Sequence, residues 1–185
     1  MFKPILALVL SVTSVSAQIV NFETTGNLAA THDIGCIPLS QVAPHYSPAD
    51  LFKGIEKCHR KRDYDKAAEL MLMAQLRGEF DKKRVKDKSA HQAVAVLSLN
   101  MANQGGKRWE RGIGKAFESF GRTGSERHTA FCKVAARSGP PTHSPSYMVQ
   151  HGLKAFMGNQ GTGLVKGFRA QKAWADAMKS YLRCS

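Results

Sequence analysis

Residues 89–103, SAHQAVAVLSLNMAN, form a stretch without a single Asp, Glu, Lys or Arg, in a chain where charged residues are otherwise frequent. Valine, leucine and alanine run almost all the way round a helical projection. The stretch therefore reads as a helix buried on most of its faces rather than a surface helix with one apolar stripe. A buried helix needs neighbours, and the flanking sequence supplies amphipathic candidates on both sides. No β-hairpin signal competes with them. The expected fold is all-α: a compact domain of about six or seven helices, with an irregular N-terminal arm and two disulfides.

Upstream, Ser47-Pro48-Ala49-Asp50 is a helix start: a capping hydroxyl, a proline at the first helical position and an acid at the positive dipole end. Leu51, Ile55 and Cys58 then share a face. Asp63 caps a second helix from Tyr64 to Arg77, and Gly78 is expected to end it. The cluster Asp81–Lys88, DKKRVKDK, reads as a solvated connection or first helical turn, its sharper alternative being a polyanion site.

Downstream, Gln104-Gly105-Gly106 breaks the chain before a helix over residues 107–121, with Trp109, Ile113, Ala116, Phe117 and Phe120 on its apolar stripe and Arg108, Arg111 and Lys115 off it. Further helices are expected over 125–137, 147–157 and 170–182. They are separated by the loop SGPPTHSPS (138–146) and by the glycine-rich GNQGTGLVKG (158–167).

The first 17 residues, MFKPILALVLSVTSVSA, read as a secretory signal peptide: Lys3 ahead of a short apolar run, then small residues before a cut. Residues 18–46 are expected as the irregular arm and 47–185 as the helical domain. No stretch after the signal peptide is long and apolar enough to cross a bilayer. Export puts Cys36, Cys58, Cys132 and Cys184 in an oxidising environment, where an even count favours two disulfides. Three connectivities are open, of which Cys36–Cys58 and Cys132–Cys184 is the expected one. The first would tie the arm to the first helix, the second the last residues to a helix in the second half.

Asp63-Tyr64-Asp65-Lys66-Ala67, followed by Ala74 and Gly78, resembles the second half of a tetratricopeptide-type helical hairpin, with residues 51–62 as the partner helix. The resemblance covers residues 48–78. In that family a tyrosine, two small alanine positions and a glycine let two antiparallel helices pack closely. The resemblance implies a helical hairpin and a protein-binding role. No second copy follows at the family's period, so a stack of repeats is not implied.

Lys and Arg total 27 against 14 Asp and Glu, a formal charge of +13. The partner expected is an acidic protein or an anionic component of the envelope. Export argues against intracellular nucleic acid. Catalytic constellations are sparse. No HExxH, GxSxG or P-loop pattern occurs, so neither a metal nor a cofactor is expected. His143 and His151 flank the proline-rich loop and the helix start as a pocket rim, and Tyr147 shares a side of that helix with His151. Glu118-Ser119 is similar to the Glu-Ser start of the lytic transglycosylase motif, in which the glutamate is the general acid, and glycoside cleavage needs such an acid held in an apolar setting.

Three functional readings follow. The first is an exported, non-enzymatic, periplasmic or extracellular protein that binds another protein, of inhibitor or immunity type. The second is a cell-wall-active hydrolase using Glu118. The third is a binder of anionic envelope or membrane surface. The binding candidates are Lys82, Lys83 and Arg84 in the first basic cluster, Arg108, Arg111 and Lys115 in the second, and His143, Tyr147 and His151.

Overall fold

The computed structural model describes residues 24–158 and 162–184. The signal-peptide reading of residues 1–17 lies outside them. Seven α-helices and no strands occur among the described residues: α1 (Pro48–Lys61), α2 (Tyr64–Arg84), α3 (Ala93–Phe120), α4 (Glu126–Ser138), α5 (Ser146–Val149), α6 (Leu153–Phe156) and α7 (Ala170–Tyr181). The fold class is all-α, as expected. None of these helices is long and apolar enough to cross a membrane. The disulfides are Cys36–Cys58 and Cys132–Cys184, a pair of bonds compatible with an oxidising location.

The helix at the centre is α2, which packs against α1, α3 and α7. It continues past Gly78 to Arg84, so the expected stop at Gly78 is corrected. Gly78 is instead where α3 crosses: a Cβ placed there would come 2.6 Å from Val94 Cγ2 and 3.2 Å from Val94 Cβ. Valine is stiff about χ1 and cannot swing clear. Gly78→Ala is therefore expected to lose about 1–2 kcal/mol despite its better helix propensity. Gly114, in α3, meets nothing within 4 Å of such a Cβ. Gly114→Ala is expected to gain up to about 1 kcal/mol by propensity alone. Urea melts of the two single variants test the contrast. Equal effects would mean that the Val94 contact does not restrain position 78.

The charge-free stretch is also corrected. Residues 88–92 form a 3-10 turn, and within α3 the side chains of Ala93, Val94 and Met101 are buried while Ala95 is exposed and Leu99 is 59% exposed. It buries one stripe, not most of its circumference: α1 and α2 pack along that stripe, and α5 adds a smaller contact. The expected break at Gly105-Gly106 is present: Gly106, at φ 54°, ψ −153°, is non-helical and divides α3 into two helical segments that meet at a kink. The helix expected over 147–157 is two single turns, α5 and α6.

Ser47 caps α1 in a capping box: its side chain accepts from Asp50 N, while Asp50 Oδ2 accepts from Ser47 N at 2.7 Å. Asp50 is fully buried because it also holds the arm, accepting from Thr31 N at 2.6 Å and His32 N at 2.7 Å. The described part of the arm is irregular apart from a 3-10 turn at Leu39–Gln41. It is fastened a second time by Arg77 of α2. That guanidinium is buried and donates to Ala43 O at 3.0 Å and to Tyr46 O. Burial, partly countered by Asp81 and Asp50, lowers the Arg77 pKa to about 10.

Candidate functional site

The junction of α1 and α2 faces the second half of α3, and a basic groove lies between them. Arg62 ends α1 in the left-handed region at φ 60°, and its N–H bonds to Cys58 O and His59 O. Asp63 caps α2 by accepting from Lys66 N at 3.2 Å, which sets Tyr64 at the first helical position. The Tyr64 ring lies across α3 where Gly112 leaves room: a Cβ there would sit 2.4 Å from the ring. Trp109, one turn earlier, is buried edge-on against His59 with centroids 5.6 Å apart. Gly105 opens the space for it, since a Cβ there would meet Trp109 Cβ at 2.4 Å.

His59 Nδ1 lies 3.2 Å from Tyr64 Oη, and Arg108 Nη2 lies 3.5 Å from His59 Nε2. A guanidinium only donates, so the Arg108 contact matches the tautomer with its proton on Nδ1, in which Nδ1–H donates to Tyr64 Oη. Burial first, then the charges of Arg108 and Arg60, hold the His59 pKa below its ordinary value, in keeping with a neutral ring. In this arrangement the Tyr64 hydroxyl accepts from His59 and keeps its own proton to donate.

The groove holds about 500 Å³ and is lined by Arg62, Tyr64, Asp65, Arg111, Gly112, Lys115, Ala116 and Ser119. Its one carboxylate is already answered: Asp65 Oδ1 accepts from Arg127 Nη1 at 2.8 Å, and Arg127 also reaches Ser119 Oγ at 3.1 Å and Glu69 Oε1 at 3.3 Å. Among the described residues, Arg62, Arg111 and Lys115 have no carboxylate partner. What remains is a shallow recess with three cations and a phenol donor, a set that receives carboxylates or phosphates. Arg111 and Lys115 were expected as binding residues and Arg108 stands beside them. Arg62 and Tyr64 were not singled out, because nothing in the sequence shows which residues face one another across the α1–α2 turn.

The other candidates separate. Lys83 is exposed, and Lys82 pairs with Glu79 at 2.6 Å. Arg84 turns inward instead, donating from Nε to Asp81 Oδ1 at 2.7 Å and from Nη2 to His143 O at 2.8 Å. Its guanidinium also lies over the Phe80 ring. Asp81 is fully buried, so the reading of residues 81–88 as a wholly solvated cluster is corrected. His143 does not stand on a pocket rim, and Tyr147 is not free to bind: both are buried, His143 Nε2 at 2.9 Å and Tyr147 Oη at 2.8 Å from Asp81 Oδ2. Burial and the Asp81 charge push the Tyr147 pKa well up. His151 Nδ1 contacts Asn27 Oδ1 at 2.9 Å and so helps hold the arm. These four groups are structural ties between α2, the proline-rich loop and the arm.

Glu118 is exposed on α3, outside any apolar enclosure that would keep a carboxylic acid protonated at neutral pH. One group among the described residues has metal-ligand spacing, His128 with Cys132 and Cys184, but the two sulfurs are bonded to each other. His128 is engaged on both nitrogens, Nδ1 accepting from Gly124 N at 3.1 Å and Nε2 lying 2.7 Å from Leu182 O. No family model, curated protein or solved structure matches the chain.

Proposed function

We propose that the chain is an exported, non-enzymatic binding protein, periplasmic or extracellular, whose basic groove receives an acidic segment of a protein partner in the manner of an inhibitor or immunity-type protein. The observation that carries this reading is the groove itself: Arg62, Arg111 and Lys115 stand unpaired around a tyrosine hydroxyl, while the neighbouring Asp65 is neutralised by Arg127. A formal charge of +13 would steer such a partner toward it. The resemblance of residues 48–78 to a protein-binding hairpin is in keeping with the same role, since Tyr64 and Arg62 belong to that hairpin.

Arg111→Glu with Lys115→Glu tests the proposal in a pull-down from the native extracellular or periplasmic fraction, followed by titration of the recovered partner. The wild-type chain should retain an acidic protein that the variant loses. Affinity should drop by about tenfold or more in the variant, and should fall with rising salt in the wild type. An affinity that is flat across salt and equal in both chains would overturn the groove as the site.

A further inference from the structure

A second surface, apart from the groove, is built where two segments bracket residues 84–89. On one side α6 rests on this connection: Leu153 N donates to Ser89 Oγ and Lys154 N to Asp87 Oδ2, each at 2.9 Å. Gly152 makes the approach possible, since a Cβ there would lie 2.5 Å from Asp87 Oδ2. On the other side, Lys86 N donates to Gly163 O and Val165 N to Arg84 O, both at 2.9 Å, with Val85 and Leu164 bridged between them. Val85 is buried by this arrangement and Leu164 half-buried.

The neighbours of those inward residues point out. Leu153 is 64% exposed, Met157 69% and Val165 40%. Lys86, Lys88, Lys154 and Lys166 are exposed around them, and none forms a salt bridge within 4 Å among the described residues, although the Lys154 charge is felt at Asp87. Asp87, the acid within the patch, is occupied by the N–H groups of Ser89 and Lys154 and the Ser89 hydroxyl. Leu153-Lys154 and Val165-Lys166 set an apolar side chain directly beside an ammonium on a long aliphatic stem. That is the layering of an anionic bilayer surface, with hydrocarbon below and phosphate at the depth a lysine reaches by snorkelling. A groove for a protein side chain is concave, whereas these side chains stand out from a single helical turn and a loop.

We propose that this face docks on an anionic lipid surface, with Leu153, Met157 and Val165 entering the boundary between headgroups and acyl chains. The four lysines lie at the phosphates. The surface is independent of the groove, so that the groove could engage its partner at the membrane.

Co-sedimentation with phosphatidylcholine vesicles, with and without phosphatidylglycerol, tests this with the full chain. The protein should sediment with the anionic vesicles and not with the neutral ones. Leu153→Gln with Met157→Gln should reduce the bound fraction by about fivefold or more, with the helical circular dichroism unchanged. Lys86→Gln with Lys154→Gln should do the same, and the groove pair Arg111→Gln with Lys115→Gln should retain most of the binding. No sedimentation with anionic vesicles would overturn the proposal. So would binding that ignores the Leu153 and Met157 changes, or a Leu153/Met157 variant that loses a protein partner while vesicle binding never appears.

Discussion

Asp81→Ala should destabilise the fold by about 3–5 kcal/mol, the range for breaking a buried charge pair by removing one partner. Three groups converge on this carboxylate from two parts of the chain: Arg84 on Oδ1, and His143 and Tyr147 on Oδ2. His143 and Tyr147 are buried and lose this partner away from solvent, while Arg84, 12% exposed, keeps its bond to His143 O. His143 is the most exposed to the loss, since its Nδ1 already lacks a partner. Urea unfolding followed by circular dichroism measures the effect, and a loss below about 1 kcal/mol would show that the network is not a tie. The same carboxylate sets the acid limit. Burial alone would raise its pKa, but the charge and hydrogen bond of His143, the Arg84 charge and the Tyr147 hydroxyl outweigh it, so the folded pKa lies below the ordinary aspartate value. Its contribution is therefore complete above about pH 4–5 and is lost as pH falls through the folded pKa. Asp81→Asn should flatten the acid limb of the stability profile without abolishing it, because Asp50 is lowered as well, its burial outweighed by hydrogen bonds from Ser47 and His32.

Cys132→Ser with Cys184→Ser should cost about 4 kcal/mol by the loop-entropy relation, which corresponds to a fall in Tm of about 10 °C. The bond closes a separation of 52 residues, against 22 for Cys36–Cys58, for which the same relation gives about 3 kcal/mol. The longer loop also carries more structure. It holds α7 against α4 and α2, where Trp174 Nε1 donates to Ala135 O at 3.3 Å, its ring meets Phe80, and Tyr181 Oη donates to Gln75 Oε1 at 2.8 Å. Thermal melts of the two double-serine variants rank the bonds. A smaller loss for the Cys132 and Cys184 pair than for the Cys36 and Cys58 pair would contradict this account.

The helical class, the presence of two disulfides, the Ser47 and Asp63 caps and the basic outer face of residues 107–121 were legible because each rests on local chemistry: spacing, capping residues, an even cysteine count. The pairing of the cysteines, one of three connectivities, depends on which elements meet. The choice of central helix was not legible. A charge-free stretch looks like a core, yet α2 carries Arg77 and Asp81 and is buried along more of its length than residues 89–103. Those two charges are admitted because partners from the arm and the proline-rich loop meet them, and such partners are distant in sequence. The same reason hid the pairing of His143 with Asp81, 62 positions apart, and the confrontation of Arg62 with Arg111 across the groove. Gly78, Gly105 and Gly112 are further cases. Each reads as a helix breaker, and each is a place where another side chain leans on the helix backbone.

The kink in α3 has a consequence for recognising this arrangement elsewhere. Gly106 combines φ 54° with ψ −153°, a conformation essentially restricted to glycine. The direction in which Arg111 and Lys115 are presented is thus inherited from one peptide unit and not from the helices' composition. A chain could share every helix described above and yet, with any other residue at this position, aim its cations away from Tyr64. A distant counterpart is better sought by a local signature than by overall likeness: a paired glycine inside a long helix, a tryptophan three residues on, a further glycine three beyond that, and a tyrosine opening the helix opposite.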